Sequence, residues 1–479
     1  MNAKDISDSL SMIDRDLLEE AAPMPFTAKK KRFRKALTLG GAAAAVLAVA
    51  LVLHLALGGA LVHKAYALQE AVYPEIRKTT ADGVGDEAYF RIRKANLGKG
   101  TSLGSFFAGL MQQSFAENQG RNMVFSPLNT YMSLAMLSGL CSGETQDQIL
   151  QALGAKSPQA LLDQAHSIWL ANYENDGLLT NILASSIWLR DDAAYNKETL
   201  AALAEEFYTS SFSGTMGNAA YDRCLRNWID EQTGGLLQES TKNVKMDPQT
   251  VMALVSTLSF RAKWYIPFEE SANTERVFHT PEGDKNTVFM NREIEYGFYY
   301  YGEKFGAIAL SLDNTRDQMW LILPDEGVSP EELLQDEQAL YFMANAASYT
   351  WAGEEFDRKG VESAWIKVNL SLPKFDLMAE SELNDLFENM GITACFDPEK
   401  ADFSPLTEES EMFISRVSQA SRLCIDEEGV TAVSYIIDYG AAEPIPPEEE
   451  IDFILDRPFF AVLTNTDSLP LMAALVNAP

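Results

Sequence analysis

The pattern of apolar and polar positions first separates an N-terminal segment from a long mixed region. Residues 36–62 form an uncharged apolar run that directly follows a cluster of basic residues at 29–35. Such a run is long enough to cross a bilayer core of about 30 Å as a helix. The positive-inside rule places residues 1–35 in the cytoplasm and all later residues outside. We therefore predict one uncleaved transmembrane helix, a signal anchor. The alternative is cleavage near Ala67, because Ala65-Tyr-Ala67 fits a small-x-small cleavage site.

The remaining chain divides into a linker and one domain. Residues 63–100 are mixed and charged, with a break at Asp82-Gly-Val-Gly-Asp86, which predicts a linker or stalk. Residues 101–479 contain no internal repeat and are predicted to form one domain. The periodicity predicts helices at 103–115, 130–140 and 219–231, and buried strands at 251–260 and 320–323. Because these elements do not alternate regularly, an α+β fold is expected.

Composition excludes several classes of function. The formal charge of −31 would repel a phosphate backbone, so nucleic acid is not expected as a partner. The cysteines lie far apart without a Cys-x-x-Cys pair, and we predict mostly free thiols at Cys141, Cys224, Cys395 and Cys424. A disulfide is the alternative if the domain is exported. No metal is expected, because the histidines show no i, i+4 pair, and no cofactor is expected, because the sequence has no Gly-rich phosphate loop.

Two short motifs would suggest an enzyme, and both lack the necessary context. Gly100-Thr-Ser-Leu-Gly104 matches a nucleophile elbow, but a charged linker precedes it where a buried strand is required. Ser371-Leu-Pro-Lys374 matches Ser-x-x-Lys, but its proline prevents the helical turn that would join serine and lysine. We predict that the protein is not an enzyme. A surface hydrolase using Ser102 is the alternative that an ester substrate would test.

The most distinctive segment begins at Asp426-Glu-Glu-Gly429. Small and β-branched residues follow it and suit a β-strand, until a proline-rich, acidic tract begins at Pro444 that cannot be a central strand. This pattern predicts a segment that is exposed and yet able to enter a sheet.

Segments in a fixed order link this exposed stretch to a known family. They are Asn122–Leu137, Gly143–Gly154, Asn227–Gly235, Phe260–Trp264 with Pro267-Phe268, Ile322–Glu326, Leu372–Phe375, Leu383–Gly391, Phe396–Ser404 and Val476-Asn477. In order and spacing they resemble the serpins, protease inhibitors whose reactive-centre loop is cut and then inserts into the central sheet. The resemblance covers residues 101–479. It implies an α+β fold with a large central mixed β-sheet, surrounding helices and an exposed loop.

The resemblance also implies a function. We expect an extracytoplasmic, monomeric suicide-substrate inhibitor of an extracellular serine protease, with a cysteine protease as the other target class. The membrane-anchored architecture suggests a bacterial protein. The alternative is a non-inhibitory serpin-fold binding protein, whose loop is cut or recognised without trapping a protease.

Particular residues take roles through this resemblance. The hinge comprises Glu427, Glu428, Gly429, Val430, Thr431 and Ala432. Trp264 lies where the loop first enters, and the gate beneath the sheet comprises Ser126, Asn129, Ser256 and Gln419. Val430, Ala432, Ser434 and Ile436 are expected to point into the core after insertion. The residues of this segment are usually small and uncharged in the family. Tyr435 departs from this pattern by its size, and Asp438, the next inward residue after Ile436, departs from it by its charge.

The reactive bond follows from the family's spacing. Counting from Glu427 places the cut after Glu443, before Pro444. Because most serine proteases cut poorly before proline, the bond between Ala442 and Glu443 is the alternative. Cleavage after Glu443 would suit a glutamate-preferring protease, and cleavage after Ala442 an elastase-like or subtilisin-like one.

Overall fold

Two β-sheets and a surrounding layer of helices form the described part of the chain. The computed structural model describes residues 66–76, 87–116, 120–176, 179–242, 244–312, 317–351, 353, 355–409, 412–430 and 449–479. The helices are α1 Glu87–Asn96, α2 Gly104–Ala116, α3 Pro127–Ser138, α4 Gly143–Ala152, α5 Pro158–Asn172, α6 Lys197–Glu206, α7 Ala219–Gln232, α8 Gln238–Thr241, α9 Pro330–Leu333, α10 Glu337–Asn345, α11 Ser348–Trp351 and α12 Asn384–Asn389. The strands are β1 Ala67–Gln69, β2 Met123–Phe125, β3 Glu174–Asn175, β4 Thr180–Arg190, β5 Thr209–Gly214, β6 Met252–Lys263, β7 Thr274–Thr280, β8 Gly283–Tyr301, β9 Phe305–Ser311, β10 Gln318–Pro324, β11 Glu362–Pro373, β12 Phe375–Glu382, β13 Arg416–Ile425, β14 Gly429–Val430, β15 Glu450–Ile454, β16 Phe459–Thr464 and β17 Pro470–Val476.

The strands form two separate mixed sheets. Sheet A has the order β1-β5-β4-β6-β14-β13-β12, with β3 beside β4. Sheet B has the order β15-β11-β8-β9-β10-β16-β17-β2, with β7 beside β8. The pairs β4–β5 and β6–β13 are parallel, whereas β4–β6 and β12–β13 are antiparallel. The predicted α+β fold with large mixed sheets and surrounding helices is therefore confirmed.

Helix α3 lies in the main core and contacts both sheets, through β6 and β17. Its start is well defined, because the Ser126 hydroxyl accepts a hydrogen bond from the Asn129 backbone N–H (3.1 Å) and Pro127 occupies the first turn. Every residue of this helix is buried. Polar side chains on α3 must therefore find partners inside the protein.

Helix α7 covers the outer face of sheet A. The Asn218 side chain caps its N-terminus, and Gly234 and Gly235, both with positive φ, follow its last turn. Its buried residues pack against the sheet and include Leu225, Trp228 and Ile229.

Residues 63–100 were predicted to be a linker or stalk, but the part of this region that the structure describes packs against the rest of the domain. Strand β1 pairs with β5 at the edge of sheet A, and α1 packs against α5. Tyr73 stacks on Trp169 and Tyr173, with ring centroids 6.0 and 5.7 Å apart. An exposed sheet edge and an aromatic cluster give this segment partners that its own charged sequence does not reveal.

The predicted cytoplasmic segment and transmembrane helix, 1–35 and 36–62, lie outside the described residues. Within the described ranges, no helix is both long and apolar enough to cross a membrane. None of the four cysteines, all of which are described, forms a disulfide. Burial raises the pKa of Cys424, the least buried of the four, to about 11.

Candidate functional site

The hinge makes a tight turn between β13 and β14. The Asp426 side chain accepts hydrogen bonds from the backbone N–H groups of Glu428 (2.9 Å) and Gly429 (3.1 Å). Gly429 has φ +155°, and a Cβ atom there would lie 2.4 Å from the carbonyl oxygen of Ala262. Only glycine fits, because this conformation and this close approach both exclude a side chain.

The turn directs the hinge into sheet A. On one side Gly429 pairs with Lys263 and Val430 with Ala262, and on the other Val430 pairs with Ile425. Val430 and Ala262 are buried in the main core. Val430 thus already lies between β6 and β13. The rest of the predicted hinge, Thr431 and Ala432, and the predicted reactive residues Ala442, Glu443 and Pro444 lie outside the described residues.

Strands β6 and β13 of sheet A pair with each other farther from the hinge, but not in the stretch next to it. Strands β6 and β13 pair in parallel from Ala253–Arg416 to Thr257–Ala420. Residues 258–261 of β6 and 421–424 of β13 lie between this pairing and the hinge, and no ladder joins the two stretches within the described chain. Between the engaged hinge and the paired lower half, β6 and β13 therefore share a short stretch in which they are not paired with each other.

Trp264 lies against the hinge turn. Its backbone N–H donates to the carbonyl of Glu428 (3.1 Å), and its indole Nε1 donates to that of Asp426 (2.8 Å). The ring is almost fully buried and packs edge-on against Phe268, whose N–H donates to the Glu427 carbonyl (3.0 Å). These bonds hold the hinge turn against the end of β6.

Glu427 has partners that the sequence did not indicate. Its buried carboxylate pairs with Lys374 Nζ and accepts a hydrogen bond from Asn273 Nδ2 (2.5 Å). Burial alone would raise the pKa of Glu427, but the hydrogen bonds from Lys374 and Asn273 outweigh it and lower that pKa. Lys374 belongs to the Leu372–Phe375 segment, and its position in this family segment was the one signal in the sequence that it has a role at the site.

Two of the four predicted gate residues are directly joined. The Ser126 backbone N–H donates to Gln419 Oε1 (2.6 Å), and Gln419 Nε2 donates to the Ser126 carbonyl (3.1 Å). The Ser126 hydroxyl donates to the Leu471 carbonyl (2.5 Å). Gln419 Nε2 also donates to the hydroxyl of Thr130 (3.2 Å). Thr130 was not predicted, although it lies one helical turn after Ser126. This network ties β13 to the start of α3 and to sheet B.

The other two predicted gate residues, Asn129 and Ser256, are buried. Ser256 lies opposite Gln419 in the β6–β13 register, so it is at the level of the gate. Its Oγ has no hydrogen-bond partner among the described residues, and neither do Oδ1 and Nδ2 of Asn129. Buried polar groups in this state carry a desolvation penalty and can accept new partners.

The alternative catalytic site has the wrong local structure. Ser102 is exposed in a 3-10 turn, Thr101–Leu103, that leads into α2. A helix, α1, and a turn precede it, whereas a nucleophile elbow follows a buried strand.

Comparison with known proteins agrees with this architecture. The family model described as serpin (serine protease inhibitor) matches residues 101–479, and the chain belongs to this family. It is 26% identical over 387 residues to an alpha-1-antiproteinase of Bos taurus, covering 78% of this chain and 87% of that protein. It is 28% identical over 353 residues to a thyroxine-binding globulin of Sus scrofa, covering 71% of this chain and 80% of that protein. The crystal structure of tengpin, a thermophilic serpin in the native state, matches with a TM-score of 0.68 at 23% identity, covering 86% of this chain and 99% of tengpin.

Proposed function

We propose that this protein is a suicide-substrate inhibitor of an extracytoplasmic serine protease. Residues 431–448 would be the bait, and the cut loop would insert into sheet A between β6 and β13. The unpaired stretch of β6 and β13 directly after the engaged hinge carries the proposal. If the chain continues in the register of Val430 with Ala262, residues 431–434 align with 261–258 of β6 and match the unpaired stretch residue for residue.

The chemistry is an interrupted peptide hydrolysis. The protease serine attacks the carbonyl carbon of Ala442 or Glu443, an ester bond forms, and the following residue leaves as a new amino terminus. Insertion then carries the esterified protease away from its starting position before water can complete the reaction. Each added sheet hydrogen bond contributes about 0.5–1.5 kcal/mol, and buried side chains add to this. A more stable sheet is therefore the driving term.

The register also sets which loop side chains become buried. Antiparallel partners point to the same face of a sheet, and Ala262, Phe260 and Leu258 face the main core. Ala432 would lie opposite Phe260 and Ser434 opposite Leu258. Both are small enough to enter a packed core. Past these residues, insertion must separate the β6–β13 pairing and the Ser126–Gln419 bonds.

We further propose that the apolar run at 36–62 anchors the protein in the cell membrane, with residues 1–35 in the cytoplasm and a monomeric serpin domain outside. The supporting observation is the uncharged run after a basic cluster. Protease treatment of intact cells should remove the serpin domain and leave the anchor in the membrane fraction. Recovery of intact protein after such treatment would contradict an external domain.

The inhibitory function is tested with purified protein and a panel of elastase-like, subtilisin-like and glutamate-preferring proteases. A covalent complex that survives SDS is the expected result, with the bond identified by mass spectrometry of the released peptide. The matched control is Gly429→Ala, which should be cut at the same bond but trap less protease. Clean cleavage without any complex across the panel would contradict inhibition.

The second candidate is a non-inhibitory binding protein of the same fold. It is favoured by the likeness to a thyroxine-binding globulin and by Tyr435 and Asp438, which depart from a typical insertion segment. This candidate predicts that cleavage at residues 442–444 leaves the melting temperature unchanged. A rise in melting temperature on cleavage would instead support insertion.

A further inference from the structure

A cavity of about 580 Å³ lies between α7, the segment that follows it and the outer face of sheet A. Its floor crosses the boundary between two strands, with Ala253 and Val255 from β6 and Ser418 and Ala420 from β13. Leu225 and Ile229 of α7 also line it. The cavity therefore lies directly over the β6–β13 pairing that an inserted strand would separate.

Two features keep this space open. Three of the four floor residues are alanine or serine, which leave room above the sheet. The segment after α7 is bound to that helix: Met246 N–H donates to the buried Asp222 carboxylate (3.0 Å), and Arg226 Nη1 donates to the Val244 carbonyl (2.8 Å). Close packing is the norm in protein interiors, so a cavity of this size requires an explanation.

The hinge register identifies which loop residues would reach it. If the inserted loop continues the pairing of Val430 with Ala262, each later loop residue would align with one earlier residue of β6, and the odd-numbered loop positions would point away from the main core, like Ala253 and Val255. In that register the bulky outward residues of the loop, Tyr435, Ile437 and Tyr439, fall opposite Thr257, Val255 and Ala253. Val255 and Ala253 are floor residues of the cavity, and so is Ala420, the β13 residue that Tyr435 would face if the pairing of Val430 with Ile425 continued.

We propose that this cavity receives the side chains of Tyr435, Ile437 and Tyr439 when the cut loop inserts. This inference rests on the proposed function and adds the surface on which the inserted strand is seated. It gives a role to Tyr435, whose size is unusual for an inserting segment, because the outer face of sheet A has space for it.

The chemistry of the cavity suits these side chains. Its lining includes apolar side chains at Leu225, Ile229 and Val255, which suit Ile437. Arg416 also lines the cavity and forms ion pairs with Glu380 (3.1 Å) and Glu382 (3.6 Å). Arg416 is the β13 partner of Ala253, the residue that Tyr439 would face. A tyrosine there could bury its ring while its hydroxyl stays among charged groups.

The size of the cavity is also adequate. Pockets of about 300–1,000 Å³ enclose drug-sized ligands, which are comparable in size with two tyrosine side chains and one isoleucine side chain taken together. The loop is favoured over a free ligand because the strand register delivers it to this place. A small apolar ligand is the other occupant, and binding of a fluorescent probe before and after cleavage separates the two.

The test is the rise in melting temperature when the full-length protein is cut at residues 442–444. We expect Tyr435→Ala and Tyr439→Ala to lose part of the wild-type rise, with the uncut melting temperature unchanged. The matched control is Val433→Ala, which also points outward but aligns with Ser259, above the cavity. This control should keep the wild-type rise.

A second variant fills the cavity from the sheet side. Ala253→Phe should reduce the rise on cleavage, and adding Tyr439→Ala should restore part of it, since the two aromatic rings would compete for one space. The fluorescent probe anilinonaphthalene sulfonate should bind uncut wild type more strongly than Ala253→Phe and should be released on cleavage.

The outcomes separate this inference from the proposed function. If uncut and cut wild type melt at the same temperature, insertion fails and this inference fails with it. If the wild-type rise is present but Tyr435→Ala and Tyr439→Ala keep it in full, the loop inserts without using the cavity, and only this inference is overturned. Probe that stays bound after cleavage would assign the cavity to a ligand and overturn it too.

Discussion

Gln419 and Ser126 form a reciprocal pair beneath sheet A. The Ser126 N–H donates to Gln419 Oε1 (2.6 Å), and Gln419 Nε2 returns a hydrogen bond to the Ser126 carbonyl (3.1 Å). Ser126 caps the N-terminus of α3, and Gln419 lies in β13. The pair therefore holds β13 in its closed position beside β6, and β13 would have to leave this position for the loop to insert.

Gln419→Ala should therefore weaken the closed state. It leaves the buried Ser126 N–H without its acceptor, which costs about 1–3 kcal/mol. Urea unfolding of the uncut protein should show a lower midpoint. Ser418→Ala is the control, because Ser418 is adjacent but lines the opposite face of the sheet. Equal midpoints for Gln419→Ala and wild type would show that the pair does not stabilise the closed sheet.

Gly429→Ala should impair the hinge. The backbone conformation alone costs a non-glycine residue about 1–3 kcal/mol. The added Cβ would also lie 2.4 Å from the Ala262 carbonyl oxygen, so β14 must move away from β6. The expected result is a smaller fraction of protease trapped as a covalent complex on SDS gels.

Gly391→Ala is the matched control for this change. Gly391 also has positive φ (+85°), but a Cβ atom added there would have no atom within 4 Å among the described residues. It should lower stability through backbone strain and leave the trapped fraction unchanged. If both variants trapped the same fraction of protease, Gly429 would have no specific role in loop insertion.

The Glu427–Lys374 pair predicts a pH dependence of stability. Lys374 and Asn273 lower the pKa of Glu427 in the folded protein despite its burial. A lowered folded pKa stabilises the fold above the unfolded value, about 4.3 for glutamate, and this stabilisation is lost as pH falls through the folded pKa. Glu427→Gln should melt below wild type at neutral pH, and the difference should shrink in acid. A difference that is constant with pH would contradict the role of the charge.

The sequence predicted some of this site and not the rest, for physical reasons. Helix α7 and strand β6 were placed within a few residues, because their apolar periodicity and the glycines at 234–235 are local signals. The family resemblance located Ser126, Gln419 and Trp264. The cavity could not be predicted, since its floor joins Val255 to Ser418, far apart in the chain. The pairing of Lys374 with Glu427 was missed for the same reason, because these two residues are far apart in the chain and meet only in the folded protein.

Asp438 gives the last prediction. In the register of the hinge it would face the main core opposite Leu254, one inward position beyond Ser256. An unpaired buried carboxylate costs several kcal/mol. Ser256 Oγ and Asn129 Nδ2 have no partner within the described chain and could donate to it.

We therefore expect Asp438→Ala to increase the trapped fraction modestly in the wild-type background. In a Ser256→Ala, Asn129→Leu background, which removes both donors, the same change should increase it much more. Equal gains in the two backgrounds would show that these side chains do not receive the carboxylate.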